Sequence, residues 1–173
     1  MARLIYITGG ARSGKSRYAQ QLAEQQPGEL LYIAPAEVLD DEMAERVARH
    51  RQLRGARWSL LEEPLRLAER LPAAARGKSA VLLDCATLWL SNLFFHYGEE
   101  LPPMLQEVDR LTAVAAELAV PLYLVSNELG SGVVPENALA RRFRDLAGAV
   151  NQQLAAAADE AWLVVSGLPV RLK

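Results

Sequence analysis

Cysteine is nearly absent: Cys85 is the only one among 173 residues, so no intrachain disulfide can form. Long hydrophobic runs are missing too; none approaches the roughly 20 residues needed to span a bilayer. There is no basic excess, since 19 Lys and Arg face 21 Asp and Glu for a formal net charge of −2. That balance argues against a dedicated nucleic-acid binder and for small phosphorylated partners. The N-terminus enters an apolar strand without a charged leader or signal-type segment, which with the lone cysteine reads as a cytoplasmic protein. Repeats, low-complexity tracts and linkers are also lacking. The expectation is one domain over residues 1–173, large enough for a core that needs neither disulfides nor a structural metal.

What the chain does have is alternation. Apolar runs of strand length recur at Leu4–Ile7, Leu30–Ala34, Ala80–Leu83, Leu122–Val125 and Trp162–Val165. Between them the composition predicts helices at Lys15–Gln25, Asp40–Arg54, Pro64–Leu71, Thr87–Tyr97, Met104–Leu118 and Asn137–Ala158. Runs apolar at successive residues belong to strands covered on both faces, as in a doubly wound, mostly parallel sheet. The last stretch, Trp162 to Leu172, has two apolar runs around a Gly/Pro turn and predicts a terminal hairpin that adds an antiparallel edge strand.

The first strand runs into Gly9-Gly10-Ala11-Arg12-Ser13-Gly14-Lys15-Ser16, a complete G-x-x-x-x-G-K-[ST] phosphate loop placed between strand and helix. Small residues let successive backbone N–H groups converge on polyphosphate oxygens. Lys15 would reach the β and γ phosphates, Ser16 would ligate Mg²⁺, and the positive end of the helix would face the anion. The fold class is therefore α/β of the P-loop NTPase type, RecA-like.

Asp84 ends the run Ala80–Leu83, at the strand edge where P-loop proteins keep a second Mg²⁺ contact. An Asp in that place also caps helices, and the residues alone admit both roles. The segment from Asp40 to Trp58 is acidic at its start and basic at its end, in accord with a helix dipole. There His50 lies one helical turn from Arg46 and from Arg54. Spacing alone allows either a catalytic imidazole among guanidinium groups or a structural histidine on a solvated face.

The loop string Gly9–Arg17 resembles that of the bifunctional adenosylcobinamide kinase/adenosylcobinamide-phosphate guanylyltransferases. So do Leu31–Ala34, Asp40–Met43, the R-x-x-x-H-R block of Arg46–Arg51 with Trp58 and Glu62, the string from Ser126 to Asn137, and the closing stretch from Arg141 to Gly167. The resemblance covers essentially the whole chain, and N-E-x-G-x-G-x-V-P-E-N is its most specific part.

The resemblance implies two reactions at one site. A phosphoryl group passes from ATP or GTP to the aminopropanol hydroxyl of adenosylcobinamide. GMP from GTP is then joined to adenosylcobinamide phosphate through a guanylyl-histidine, for which His50 matches the motif position. It further implies GTP contacts at Ala34-Pro35-Ala36, at Arg51-Gln52-Leu53-Arg54 and at Glu62, with Lys15 acting in catalysis; Asp84 joins the nucleotide-binding residues through its Mg²⁺ role. A carboxylate such as Glu62 can accept the N1–H and N2–H₂ donors of guanine, which adenine lacks; the neighbouring Glu63 offers the same chemistry. Pro35 has no side-chain donor, so only backbone contacts carry over there. The glycine-rich string Asn127–Asn137 is a candidate wall for the corrinoid. His96 matches no functional motif and reads as structural.

A homotrimer is implied as well, with Leu90, Leu93, Phe94 and Phe95 available either for that contact or for the core. Two other readings of the residues are a P-loop kinase of another small alcohol and a nucleotide-dependent switch without transfer chemistry.

Overall fold

The computed structural model describes residues 3–35 and 55–173. The helix expected at Asp40–Arg54, and with it Ala36, His50, Arg51, Gln52, Leu53 and Arg54, lies outside the described residues.

Among the described residues seven strands form one sheet: β1 Leu4–Gly9, β2 Leu30–Ala34, β3 Trp58–Glu62, β4 Ala80–Asp84, β5 Leu122–Asn127, β6 Glu160–Val165 and β7 Leu168–Arg171. Their spatial order is β3-β2-β4-β5-β1-β6-β7, parallel throughout except for the β6–β7 hairpin. The helices among the described residues are α1 Lys15–Glu24, α2 Leu67–Ala74, α3 Ala86–His96, α4 Leu101–Glu117 and α5 Ala138–Ala157. The doubly wound sheet and its antiparallel edge hairpin are as the sequence predicts.

The successive apolar residues of each inner strand divide by parity, because side chains alternate between the faces. Leu4, Tyr6, Leu31, Ile33, Val81, Leu83, Leu122 and Leu124 pack in the cluster that also takes in Trp89, Leu93, Phe94, Met104, Leu111 and Val150 of the helices. Ile5, Ile7, Leu30, Tyr32, Leu82, Tyr123 and Val125 belong to the opposite cluster, which α1 enters through Ala19 and Ala23. The small alanines let α1 lie close against the strands that flank the phosphate loop.

Charged side chains finish the ends of elements. Arg57 donates to the carbonyls of Glu24, Gln26 and Gly28 behind α1. Lys173 Nζ donates to those of Ala155, Ala156 and Ala158 at the end of α5. Both cations sit where a helix dipole is negative.

Several boundaries differ from expectation by a few residues, among them the start of α4 at Leu101 and that of β6 at Glu160, and one strand was not foreseen. The helix read at Pro64–Leu71 starts later, at Leu67, because Glu63 Oε1 accepts from the N–H groups of Leu65 and Arg66 and fixes the preceding turn. Strand β3 was not expected: Trp58–Glu62 is short and only half-buried at the sheet edge, so it lacks the continuous apolar run of an inner strand.

Of the apolar residues on α3, Leu90, Leu93 and Phe94 are taken up by the core, while Phe95 is 67% exposed. Leu93→Ala is therefore expected to cost about 2–5 kcal/mol in urea unfolding. Phe95→Ser should change stability by no more than about 0.5 kcal/mol.

Candidate nucleotide site

Because β1 to β6 run parallel, the C-terminal ends of β3, β2, β4, β5 and β1 meet along one edge. It carries, in spatial order, Glu62, Ala34, Asp84, Asn127 and Gly9. Ligands of open α/β sheets bind at this end.

The loop from Gly9 to Ser16 is built tightly. A Cβ on Gly9 would stand 2.5 Å from the Val164 carbonyl and 2.6 Å from Ser13 Oγ, so a side chain there has no room. Gly14 has φ +93°, and a Cβ on it would lie 3.2 Å from Gly167 Cα. The loop is tied on both flanks: Glu128 N–H donates to the Gly9 carbonyl at 2.9 Å, and Gly167 N–H to the Ser13 carbonyl at 2.7 Å. The terminal hairpin therefore braces the loop through its turn.

No side chain caps α1, and its first turn holds no acidic residue, so its leading N–H groups remain available to an anion. Lys15 is buried, its Nζ donating to the Gly10 carbonyl at 3.0 Å. Buried Ser13 Oγ has no hydrogen-bond partner among the described residues. Such a cradle offers convergent donors to a polyphosphate and repels little of its charge.

Asp84 closes β4, with β5 between it and the phosphate loop; Val125 pairs with both Asp84 and Ile7. Its carboxylate does not cap the following helix, whose N-cap is Cys85 and has no side-chain cap bond. It makes no hydrogen bond or salt bridge among the described residues, which leaves it available to a cation. Burial raises the pKa of the adjacent Cys85 thiol; the Asp84 charge raises it further and that of Lys15 lowers it.

Glu62 is exposed at the far end of the same edge, paired with Ala34. Four strand spacings of about 4.8 Å, roughly 19 Å in all, separate it from Gly9. The structure thus places Asp84 in the middle of the edge, with Ala34, Pro35 and Glu62 on its one side and, beyond β5, the loop with Lys15 and Ser16 on its other. Of the two adjacent glutamates, Glu63 is engaged by the turn before α2, whereas Glu62 makes no hydrogen bond or salt bridge among the described residues. The Pro35 carbonyl accepts from Asn92 Nδ2 at 2.7 Å, and Asn92 also donates to Pro64. Asn92 therefore joins the turn after β2 to that after β3, a role with no motif to announce it.

A second set of residues, to none of which the sequence assigns this role, lies beneath the edge. Thr87 Oγ1 accepts from Asn127 N–H at 2.8 Å and is 3.3 Å from Ser126 Oγ. Ser126 donates to Asn151 Oδ1 at 2.6 Å, and Asn151 Nδ2 donates to the Asn127 carbonyl at 3.0 Å. This closed, buried cycle joins α3, β5 and α5 and fixes the backbone between Asp84 and the loop. His96 is exposed in the last turn of α3, its ring against Tyr97, at the end of the helix remote from this edge.

Burial is the largest influence on Cys85 and pushes its thiol above the ordinary range. The neutral thiol is thus the form present at neutral pH. Alkylation by iodoacetamide at pH 8 should be at least about tenfold slower than for free cysteine and accelerate only at higher pH; rapid alkylation at pH 7 would contradict this environment.

Over residues 5–172 the sequence matches the family described as cobinamide kinase / cobinamide phosphate guanyltransferase. It is 45% identical to the bifunctional adenosylcobalamin biosynthesis protein CobU of Escherichia coli, across 98% of this chain and 99% of the relative. The CobU protein of Salmonella typhimurium gives the same identity and coverage. The corresponding CobP protein of Pseudomonas aeruginosa is 45% identical over 96% of this chain and 95% of its own. Among solved structures, that of the RadB recombinase aligns with a TM-score of 0.56 over 93% of this chain and 73% of that one, at 15% identity, a likeness of fold alone. The chain belongs to the cobinamide kinase / cobinamide phosphate guanyltransferase family.

Proposed function

We propose that this enzyme phosphorylates the aminopropanol hydroxyl of adenosylcobinamide and then joins GMP to the resulting phosphate, using the loop Gly9–Ser16 for both transfers. The observation that carries this reading is a phosphate loop braced on both flanks and holding the buried Lys15, with the uncommitted Asp84 carboxylate on the same sheet edge two strands away.

In the first reaction the acceptor hydroxyl attacks the γ-phosphorus of ATP or GTP. The bond between the β–γ bridging oxygen and the γ-phosphorus breaks, the nucleoside diphosphate leaves, and the hydroxyl proton passes to solvent. Lys15 leaves the Gly10 carbonyl for the β and γ oxygens, and the backbone N–H groups of Ala11 to Ser16 hold the phosphates in line. Gly10, Arg12 and Ser13 complete the wall.

In the second reaction a neutral His50 nitrogen attacks the α-phosphorus of GTP, and the bond to the bridging oxygen breaks with loss of pyrophosphate. The phosphate of adenosylcobinamide phosphate then attacks the guanylyl-histidine, the P–N bond breaks, and adenosylcobinamide-GDP is released with His50 restored. Arg51 and Arg54 supply positive charge to the phosphates, and Gln52 and Leu53 complete that contact. The guanine lies toward Ala34, Pro35 and Ala36, where Glu62 accepts from N1–H and N2–H₂.

The donors suit Mg²⁺. One hydroxyl and one uncommitted carboxylate, Ser16 and Asp84, match an ion that takes one or two protein ligands and fills the rest of its octahedron with phosphates and water. Mg²⁺ when bound supplies charge neutralisation to the phosphates.

Incubation with α-labelled GTP and Mg²⁺ should label the protein in an acid-labile, base-stable bond, and His50→Ala should abolish it. A label that persists in His50→Ala would overturn the assignment, and its absence from the native enzyme would favour a kinase of another kind. For Glu62→Gln, the KM for GTP in guanylylation should rise about tenfold or more, with ATP use in the kinase reaction changed less than about twofold; equal effects on both nucleotides would remove Glu62 from base recognition.

A further inference from the structure

We infer that residues 129–134 form the platform on which the corrinoid acceptor rests, held in place by α5. The inference deepens the proposed function and rests on it.

One helix grips this segment repeatedly. Asn151 donates to the Asn127 carbonyl at 3.0 Å. Arg144 Nη2 donates to that of Gly130 at 2.6 Å and its Nη1 to that of Val133 at 3.3 Å. Arg141 Nη1 donates to the carbonyls of Pro135 at 2.9 Å and Glu136 at 2.6 Å. Asn137 ends the segment as the N-cap of α5, accepting from Leu139 and Ala140. The carbonyls are thereby directed to donors on α5, although no regular strand or helix is present to align them.

The apolar side chains of the segment receive no such cover. Val133 is 94% exposed, Val134 62% and Leu129 37%. Two adjacent valines so exposed give almost no burial energy to the fold, while two arginines lose rotamer freedom to hold the backbone beneath them. Adjacent exposed apolar residues on a fixed loop beside a ligand-binding edge are available to a ligand.

The position selects the occupant. The segment leaves β5 at Asn127, and the next residue, Glu128, is bonded to Gly9 of the phosphate loop. Six residues of chain reach at most roughly 20 Å from Asn127 to Val133. An acceptor that offers its hydroxyl to the γ-phosphorus while carrying a macrocycle too large for the nucleotide cleft must rest its bulk outside, within that range. A corrin edge bears methyl groups that valines can cover. Arg144 is in this account a positioning residue, acting through the Gly130 and Val133 carbonyls.

The test uses the full chain with adenosylcobinamide, ATP and Mg²⁺. The double variant Val133→Ser, Val134→Ser should raise the KM for adenosylcobinamide roughly tenfold, with kcat and the KM for ATP within about twofold of native. Equilibrium binding of adenosylcobinamide without nucleotide should weaken by a similar factor. Arg144→Ala should act in the same direction and Arg144→Lys, which keeps one donor to the loop, should recover part of the loss. If the native enzyme phosphorylates no corrinoid, the proposed function falls and the platform with it. If it does and the valine variant keeps its acceptor KM within twofold, the platform alone is overturned. A lower sedimentation mass of that variant, with acceptor binding unaltered, would likewise overturn it by assigning the valines to contact with a second copy of the chain.

Discussion

The hydrogen bonds that clamp the phosphate loop from both sides, Glu128 to Gly9 and Gly167 to Ser13, are the constraint on which the rest of the site depends. A glycine-rich loop is free to take many conformations, and donors that must first be ordered stabilise an anion poorly. Here β5 holds the start of the loop and the terminal hairpin holds its middle. The glycines are then required by contact: Gly9 has the Val164 carbonyl against it, and Gly14 has Gly167. The C-terminal hairpin, which looks like a peripheral addition to the sheet, is part of the proposed phosphate site through the Gly167–Ser13 hydrogen bond.

The same economy governs the other end of the edge. Asn92 ties the turns after β2 and β3, and the Thr87–Ser126–Asn151 cycle fixes the end of β5. Asn92, Thr87 and Asn151 each satisfy backbone groups of the edge, and Ser126 links Thr87 to Asn151. The cost of burying them is offset by complete pairing, and the result is a rigid line from Glu62 through Asp84 to the loop. The proposed pair of transfers needs such a line, because attack at the α and at the γ phosphorus would require the same phosphates to be held while the attacking group changes.

The inner strands and the phosphate loop were legible in the sequence for physical reasons. Leu30–Ala34 and Ala80–Leu83 are apolar on every residue because both faces are covered, and Gly9–Ser16 is constrained residue by residue by its ligand geometry. Strand β3 was not legible, since an edge strand with half-buried residues has no distinctive period. Asp84 was visible as a candidate, and its uncapped carboxylate became clear only from the start of α3 at Cys85. The choice between Glu62 and Glu63 was hidden for a similar reason: what separates them is the turn that Glu63 closes. The roles of Asn92, Asn151 and Arg144 escape sequence reasoning, although the last two lie in the closing stretch that carries the resemblance, because they donate to backbone carbonyls, which every residue possesses.

The central claim is that one cradle serves two transfers, and Lys15→Ala assayed for both in the same preparation tests it most directly. The account predicts that phosphorylation of adenosylcobinamide and covalent guanylylation by GTP both fall at least about a hundredfold, since both depend on charge placed at the phosphates. A variant that loses one activity and keeps the other near the native rate would contradict it, and would assign the two reactions to separate phosphate sites.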